Sequence, residues 1–343
     1  MSDFLLFVAL VSYFISLNLE VGGATSIGIN YGLLGDNLPP PERCVSLLKS
    51  RNVNRVRIFD PNHDVLTALA NAGGMEVVLG TLNADLEQLA SSPSFAAQWV
   101  SAHVIPFRPR LKFRYITAGN EVIPGPMAHL VLNAIKNLDS ALKSAQITDV
   151  PVTTAIGMAS IGKSYPPSAG EFSDESRPYA GPVVEFLASN GYPLLANVYP
   201  YFAYKGDPAN IAREYALGNS VAGGGGKRVV DGNLEYRGLF DAMVDAMYAA
   251  AEKVNGGGLK VVVSETGWPS AGAEVATVDN ARAYVNNVAA KARAGAGTPR
   301  RQGSEVETYL FALFNEDLKP QGEEQNFGLY RPDLTEVYKV DLN

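Results

Sequence analysis

The chain has 343 residues, 47% hydrophobic and 18% charged, with 28 Lys and Arg against 35 Asp and Glu for a formal charge of -7. That composition builds a large buried core and excludes a disordered or fibrous chain, while the acidic balance and lack of a long basic run exclude nucleic acid as a partner. One cysteine, Cys44, leaves no internal disulfide, and the three histidines His63, His103 and His129 are scattered without metal-ligand spacing, so neither a metal nor another cofactor is expected.

Residues 4–19, FLLFVALVSYFISLNL, form an apolar run followed by small residues around Gly22, Gly23 and Ala24. This is the pattern of a cleaved leader, although its start carries Asp3 and no Lys or Arg, and we assign 1–25 to a signal peptide and 26–343 to the mature domain. Loss of Asp3 and Glu20 leaves a mature charge of -5 (-7 + 2). The last residues, EVYKVDLN, have no hydrophobic tail, and the chain contains no N-x-S/T sequon. The expectation is a secreted monomer of the extracellular space, cell wall or vacuole, with no membrane contact in its mature form.

Apolar, β-branched runs then recur at intervals of about 20–40 residues, as expected for strands joined by helical crossovers. They are SIGINYG (26–32), RVRIFD (55–60), EVVLGT (76–81), FRYITAGNEV (113–122), PVTTAIG (151–157), LLANVYPYF (194–202), KVVVSETGW (260–268) and VETYLFALFNE (306–316). Stretches of helical period lie between them, such as 127–145 and 238–254. On the first of these connections Cys44 lies near Leu47 and Leu48 on one apolar helix face, which predicts a core thiol and not a nucleophile. Eight strands alternating with helices predict one (β/α)8 barrel of the TIM type. The longest gap, 203–236, predicts a small subdomain inserted after strand 6. Its Gly223 to Gly226 run lacks the GxxxxGK[ST] spacing of a phosphate loop and reads as a turn-forming loop.

In such a barrel the chemistry sits at the C-terminal ends of the strands. There the runs end in carboxylates: Asn120-Glu121 on strand 4, Ser264-Glu265 on strand 7 and Asn315-Glu316 on strand 8. Singly, a strand-end acid can cap a helix or pair with an arginine. Several converging on one mouth suggest a task, because burying ionised carboxyls is costly. Two facing carboxylates suffice to hydrolyse a glycosidic bond, one protonating the leaving oxygen and the other attacking the anomeric carbon. Aromatics crowd the same ends (Tyr31, Tyr199, Tyr201, Phe202, Trp268, Phe314). Tyr199 and Trp268 are the leading candidates to stack on sugar, with Tyr31 and Phe314 as further contacts.

Across the mature chain these residues resemble the plant β-1,3-glucanases of glycoside hydrolase family 17. The motifs are INYGLLGDNLPPP (29–41), VRIFDPNHDVLTALA (56–70), ITAGNEV (116–122), ANVYPYFAY (196–204), VVVSETGWPSAG (261–272), YLFALFNEDLKP (309–320) and NFGLYRPD (326–333). The resemblance implies a retaining endo-hydrolase of β-1,3-glucan, with Glu121 as acid/base and Glu265 as nucleophile. It further implies that Asn120 contacts the sugar hydroxyl beside the scissile bond, with Glu316, Lys319 and Glu324 as supporting polar residues. One departure is Phe59, where many relatives carry a tyrosine. Retention predicts about 5–5.5 Å between the two carboxyls. A hydrolase of mixed-linkage β-1,3;1,4-glucan, a transglycosylase on the same scaffold and a non-catalytic glucan-binding barrel are the competing readings. The last of these would be favoured by loss of either Glu, and both are present.

Overall fold

The computed structural model describes residues 27–219 and 228–342, so the leader at 1–25 and the Gly223 to Gly226 run lie outside the described residues. Each of the eight expected runs contributes a parallel strand: Ile27–Asn30 (β1), Arg55–Ile58 (β2), Glu76–Gly80 (β3), Lys112–Asn120 (β4), Val152–Gly157 (β5), Leu194–Asn197 (β8), Val261–Thr266 (β11) and Thr308–Leu310 (β12). The numbering skips because two hairpins intervene, Ile161–Lys163 (β6) with Glu171–Phe172 (β7), and Val229–Asp231 (β9) with Leu234–Tyr236 (β10). The barrel closes through pairing of β12 with β1. Its strands are adjacent in chain order, as right-handed helical crossovers dictate.

Alternation along the strands sorts side chains into two cores. Val56, Ile58, Val77, Leu79, Val261 and Val263 point outward and pack under the helices. Val78, Tyr115, Ala155, Leu195, Val262 and Tyr309 point inward and form a separate apolar layer across the barrel axis. The same inward register continues past this layer in both directions. On β2 the inward positions are Arg55 and Arg57, and on β8 and β11 the positions after Leu195 and Val262 are Asn197 and Ser264.

Below the apolar layer an ionic cluster fills the N-terminal end of the barrel. Glu307, 1% exposed, accepts from Arg114 through both oxygens, at 2.8 Å from Nε and 2.5 Å from Nη2, and from the hydroxyls of Tyr115 and Tyr309. Glu76 binds Arg55, Arg114 and Lys112. These guanidinium and ammonium groups hold Glu307 below the usual carboxylate range and Glu76 down to about 2, outweighing the opposing effect of burial.

The helices are marked locally by their caps and first residues. Asn62 accepts from the backbone N–H groups of Asp64 and Val65 to start the helix His63–Ala72, and Thr277 caps Val278–Ala294 through Asn280 N–H. Pro41 opens the helix Pro41–Ser50, whose buried face is Cys44, Val45 and Leu48; Leu47 is only half-buried at its margin. The Cys44 thiol is fully buried and receives the Tyr31 hydroxyl at 3.1 Å, so it is the core thiol that the helical pattern describes. His63 and His103, 40 residues apart, meet with Nε2 and Nδ1 2.9 Å apart. Their distance in sequence concealed this pairing.

The sixth run is shorter as a strand than its apolar length suggests. β8 ends at Asn197 and Pro200 opens a helix, Pro200–Gly206, because proline at the first helical position needs no backbone donor. The inserted subdomain follows, built from this helix, the helix Arg213–Leu217 and the β9–β10 hairpin, with Tyr215 and Tyr236 packed on Ala242 of the following helix Leu239–Glu252 in a small separate apolar cluster. The β6–β7 hairpin after β5 was not singled out from the sequence, although Pro166, Pro167 and Gly170 between its strands are turn residues. Among the described residues no helix is long and apolar enough to cross a membrane.

Candidate active site

Strict alternation would turn Glu265 away from the barrel axis, since its neighbour Ser264 faces inward. The register of β11 against β8 slips between Val263 and Glu265, and this irregularity brings Glu265 to the inner side as well. Thr266 then resumes the outward direction and bonds the Tyr284 hydroxyl of the neighbouring helix.

A comparable device ends β4. Gly119 adopts φ +76° and Glu121 φ +54°, the left-handed region that a side chain disfavours. The bend is held from three sides: Gly119 N–H donates to Thr81 Oγ1 at 3.1 Å, Asn120 N–H to Asn83 Oδ1 at 2.8 Å, and Glu121 N–H to the Ala155 carbonyl at 2.9 Å. Space for the Glu121 carboxyl is left by Gly157 at the end of β5, where a Cβ would stand 2.8 Å from Glu121 Oε1.

The two carboxylates meet at the floor of a groove of about 560 Å³, a size suited to a small organic ligand. Glu265 is 6% exposed. Its Oε1 accepts from Arg57 Nη1 at 2.5 Å and from Asn197 Nδ2 at 3.0 Å, and its Oε2 accepts from the Tyr199 hydroxyl at 2.7 Å. Arg57, itself buried, also donates through Nη2 to Asn120 Oδ1 at 2.8 Å. Asn197 Nδ2 lies 2.9 Å from Glu121 Oε1, so one nitrogen holds the nearer oxygens of the two carboxylates within about 6 Å of each other.

The two acids differ in environment. Glu121 is exposed along the groove, with Gly157 and the Asn197 amide against its carboxyl. Loss of water around the carboxyl, followed by the nearby charge of Glu265, raises it above the usual carboxylate range. The Asn197 hydrogen bond and the Arg57 charge oppose that rise without cancelling it. Burial and then the Glu265 charge push the Tyr199 phenol far above its usual value, so it stays a donor to Glu265.

Of the polar residues proposed for the site, Asn120, Glu316, Lys319 and Glu324 all line the groove with Tyr199. Glu316 is nearly buried and accepts from the backbone N–H of Leu34 at 2.8 Å, while Lys319 Nζ lies 3.5 Å from its other oxygen and 4.2 Å from the Phe311 ring centroid. Glu323 turns away from the groove to bond Lys205 and the Tyr201 hydroxyl, leaving Glu324 as the acid of this pair beside the cavity.

Three aromatic residues do not stand where a sugar could touch them, and this corrects the expectation from their strand-end positions. Trp268 is wholly buried, packs on Tyr201 and Tyr284 and donates its indole N–H to the Val275 carbonyl at 2.9 Å. Tyr31 is 1% exposed with its hydroxyl on Cys44, and Phe314, 2% exposed, meets it edge-on. Large rings at these positions gain more from burial behind the wall than from lining it. The aromatic lining comes instead from Phe59, Tyr199, Phe202, Phe311 and Phe327. Phe59 lies under the Arg57 guanidinium at 4.5 Å, so the ring found in place of tyrosine still packs on the residue that binds Glu265.

Arg57 and Asn197 were not singled out from the sequence. A signal existed for Arg57, because RVRI places two arginines at inward positions of a strand that is buried throughout. Asn197 gave none beyond being polar at a strand end.

Comparison with known proteins places this geometry in context. Residues 27–342 match the model described as glycosyl hydrolases family 17. A barley (Hordeum vulgare) protein described as a putative glucan endo-1,3-β-glucosidase is 54% identical over 324 residues, covering 94% of this chain and 98% of the relative. A grapevine (Vitis vinifera) glucan endo-1,3-β-glucosidase is 46% identical, with 98% of this chain and 97% of the relative covered. Among solved structures, a β-1,3-glucanase and allergen of Cryptomeria japonica pollen superposes with a TM-score of 0.88 at 45% identity, covering 92% of this chain and 99% of that one.

Proposed function

The chain belongs to glycosyl hydrolase family 17, and from that premise we propose that it cleaves β-1,3-glucan internally with retention, Glu265 acting as nucleophile and Glu121 as acid/base. The observation that carries this reading is the pair of carboxylates held on one Asn197 amide at the floor of the groove. Sharing that nitrogen keeps their nearer oxygens within about 6 Å, which is compatible with the ~5–5.5 Å carboxyl separation of a retaining pair.

In the first step the Glu265 carboxylate bonds to the anomeric carbon as the bond to the leaving oxygen breaks, and the Glu121 proton passes to that oxygen. In the second step Glu121 takes a proton from water, the water oxygen bonds to the anomeric carbon, and Glu265 leaves as carboxylate. Arg57 and Tyr199 hold the two Glu265 oxygens in place for attack. Asn120, fixed by Arg57, Asn197 and Asn83, is positioned to bind the sugar hydroxyl beside the scissile bond. The groove's aromatic walls, with Glu316, Lys319 and Glu324, supply the surface on which the polysaccharide lies. The apolar leader supports delivery to the extracellular space, the cell wall or a vacuole, where such polymers occur.

Product analysis on laminarin, on mixed-linkage β-1,3;1,4-glucan and on cellulose tests the substrate. Laminarin should give a ladder of short oligosaccharides whose new reducing ends are first released as the β anomer. Preferential attack on the mixed-linkage polymer, transfer products in place of hydrolysis, or binding without turnover would each replace this reading with the corresponding alternative.

The pH dependence follows from the direction in which Glu121 is shifted. A raised carboxyl keeps its proton to higher pH than a free glutamic acid, so the donor form persists through the mildly acidic range and is lost as pH rises through the raised value. Measured kcat/KM should therefore peak at mildly acidic pH and fall on the alkaline side. A rate that keeps climbing above neutrality would rule out Glu121 as proton donor.

A further inference from the structure

Asn197 is 1% exposed at the last position of β8, directed inward by the alternation that places Leu195 in the barrel's apolar layer. Its amide nitrogen has three acceptors within reach: Glu121 Oε1 at 2.9 Å, Glu265 Oε1 at 3.0 Å and Asn120 Oδ1 at 3.1 Å. Two hydrogens serve these three oxygens, so at any moment one acceptor is without its share. The side-chain orientation is fixed chemically. Its Oδ1 receives the Ser264 hydroxyl at 2.7 Å, whereas the opposite orientation would turn a carbonyl oxygen toward two carboxylates and another amide oxygen.

We propose that Asn197 is a positioning residue whose amide follows the negative charge between the two acids, serving Glu265 before the first displacement and Glu121 after it. The proposal rests on the double-displacement reading above. In that reaction Glu265 loses its charge on bonding to the sugar and Glu121 gains one on giving up its proton. A single negative charge thus crosses the floor of the groove during step one and returns during step two. Arg57 cannot follow it, because its donors reach Glu265 and Asn120 but no oxygen of Glu121, and Tyr199 is tied to Glu265 Oε2. Asn197 is the described donor that reaches both carboxylates. A shift of one hydrogen between two oxygens at nearly equal distances needs no movement of the barrel, and so adds little reorganisation to either step.

The groups facing this amide are Glu121, Glu265, Asn120 and Ser264, with the Arg57 guanidinium, the Tyr199 phenol and the Glu324 charge around Glu121 and Glu265. Because the bond from Asn197 favours the ionised form of Glu121, its removal lets the proton stay to higher pH. Asn197→Ala should therefore lower kcat on laminarin by roughly 100-fold with KM little changed, and move the alkaline limb of the pH profile upward. Ser264→Ala, which loosens the amide but leaves it present, should move both readouts the same way to a smaller extent.

Asn197→Asp separates this role from packing. Aspartate keeps the shape but replaces the donor with a carboxylate facing two others, so the proposal requires it to be less active than Asn197→Ala, whereas a packing role requires it to be more active. Thermal unfolding of each variant identifies any that fail to fold, in which case Ser264→Ala decides. An unmoved alkaline limb together with an aspartate variant better than the alanine variant would overturn the proposal. The reading beneath it fails separately, if wild-type enzyme releases the α anomer or the two glutamates do not divide the roles of nucleophile and acid.

Discussion

Glu265→Ala should lose laminarin hydrolysis by on the order of 10⁴-fold or more, and azide should restore turnover of an activated aryl β-glucoside of suitable length. Truncation leaves an anion-sized gap against the Arg57 guanidinium and the Tyr199 hydroxyl, both of which bonded the missing carboxylate. Azide entering that gap replaces the lost charge beside Arg57 and attacks the anomeric carbon once, which gives the α-glycosyl azide. Glu121→Ala leaves a different gap. A good leaving group needs little protonation, so Glu265 still forms its covalent sugar intermediate, and azide on the opposite face then displaces Glu265 to give the β-glycosyl azide. Nuclear magnetic resonance of the two adducts names each residue. A β product from the Glu265 variant, or an α product from the Glu121 variant, would reverse the roles or remove them.

The second large effect is expected at the opposite end of the barrel and on stability. Glu307→Ala removes the partner of a mostly buried Arg114 and leaves the Tyr115 and Tyr309 hydroxyls without their acceptor. Breaking a buried ion pair from one side costs about 3–5 kcal/mol, and the remaining contact of Arg114 with Glu76 places the expected loss toward the lower end. Glu307→Gln, which retains an acceptor oxygen, should cost less. The sign of the pH dependence is set by a depressed carboxyl: its contribution is complete above the unfolded value of about 4.3 and is lost as pH falls through the lower folded value. Wild type and Glu307→Ala should thus converge in stability as the solution becomes strongly acidic. Urea unfolding at neutral and acidic pH measures both, and a loss under about 1 kcal/mol at neutral pH would show that the cluster does not hold the barrel together.

The ionic cluster and the active site are two ends of one pattern, since both consist of the inward-facing positions that flank the barrel's apolar layer. At the lower end the charges satisfy one another with their hydrogen bonds nearly closed. At the upper end, Glu121 opens onto a groove and is pushed away from its ordinary protonation, and its backbone sits in a disfavoured conformation. Strain and a shifted acid at the same residue are what a functional site tolerates and a structural one does not need.

The barrel was legible in the chain's pattern, because eight buried β-branched runs separated by helix-length connections have few other ways to cover both faces of their strands. That pattern also determined which carboxylates stand at the strand ends. What it could not determine is the direction of side chains where regular geometry stops. Period-two alternation would send Glu265 to the helix layer, and only the register slip in β11 turns it inward; on β4 a slip against β5 between Thr117 and Asn120, with the left-handed bend at Glu121, brings both Asn120 and Glu121 to the groove. Beyond those irregularities each ring's fate depends on neighbours distant in the chain, which is why Trp268, Tyr31 and Phe314 became buried supports while Phe311 and Phe327 line the groove. Asn197, Arg57 and the paired His63 and His103 acquired their partners for the same reason: closure of the barrel and packing of its helices brought together atoms that no local pattern relates.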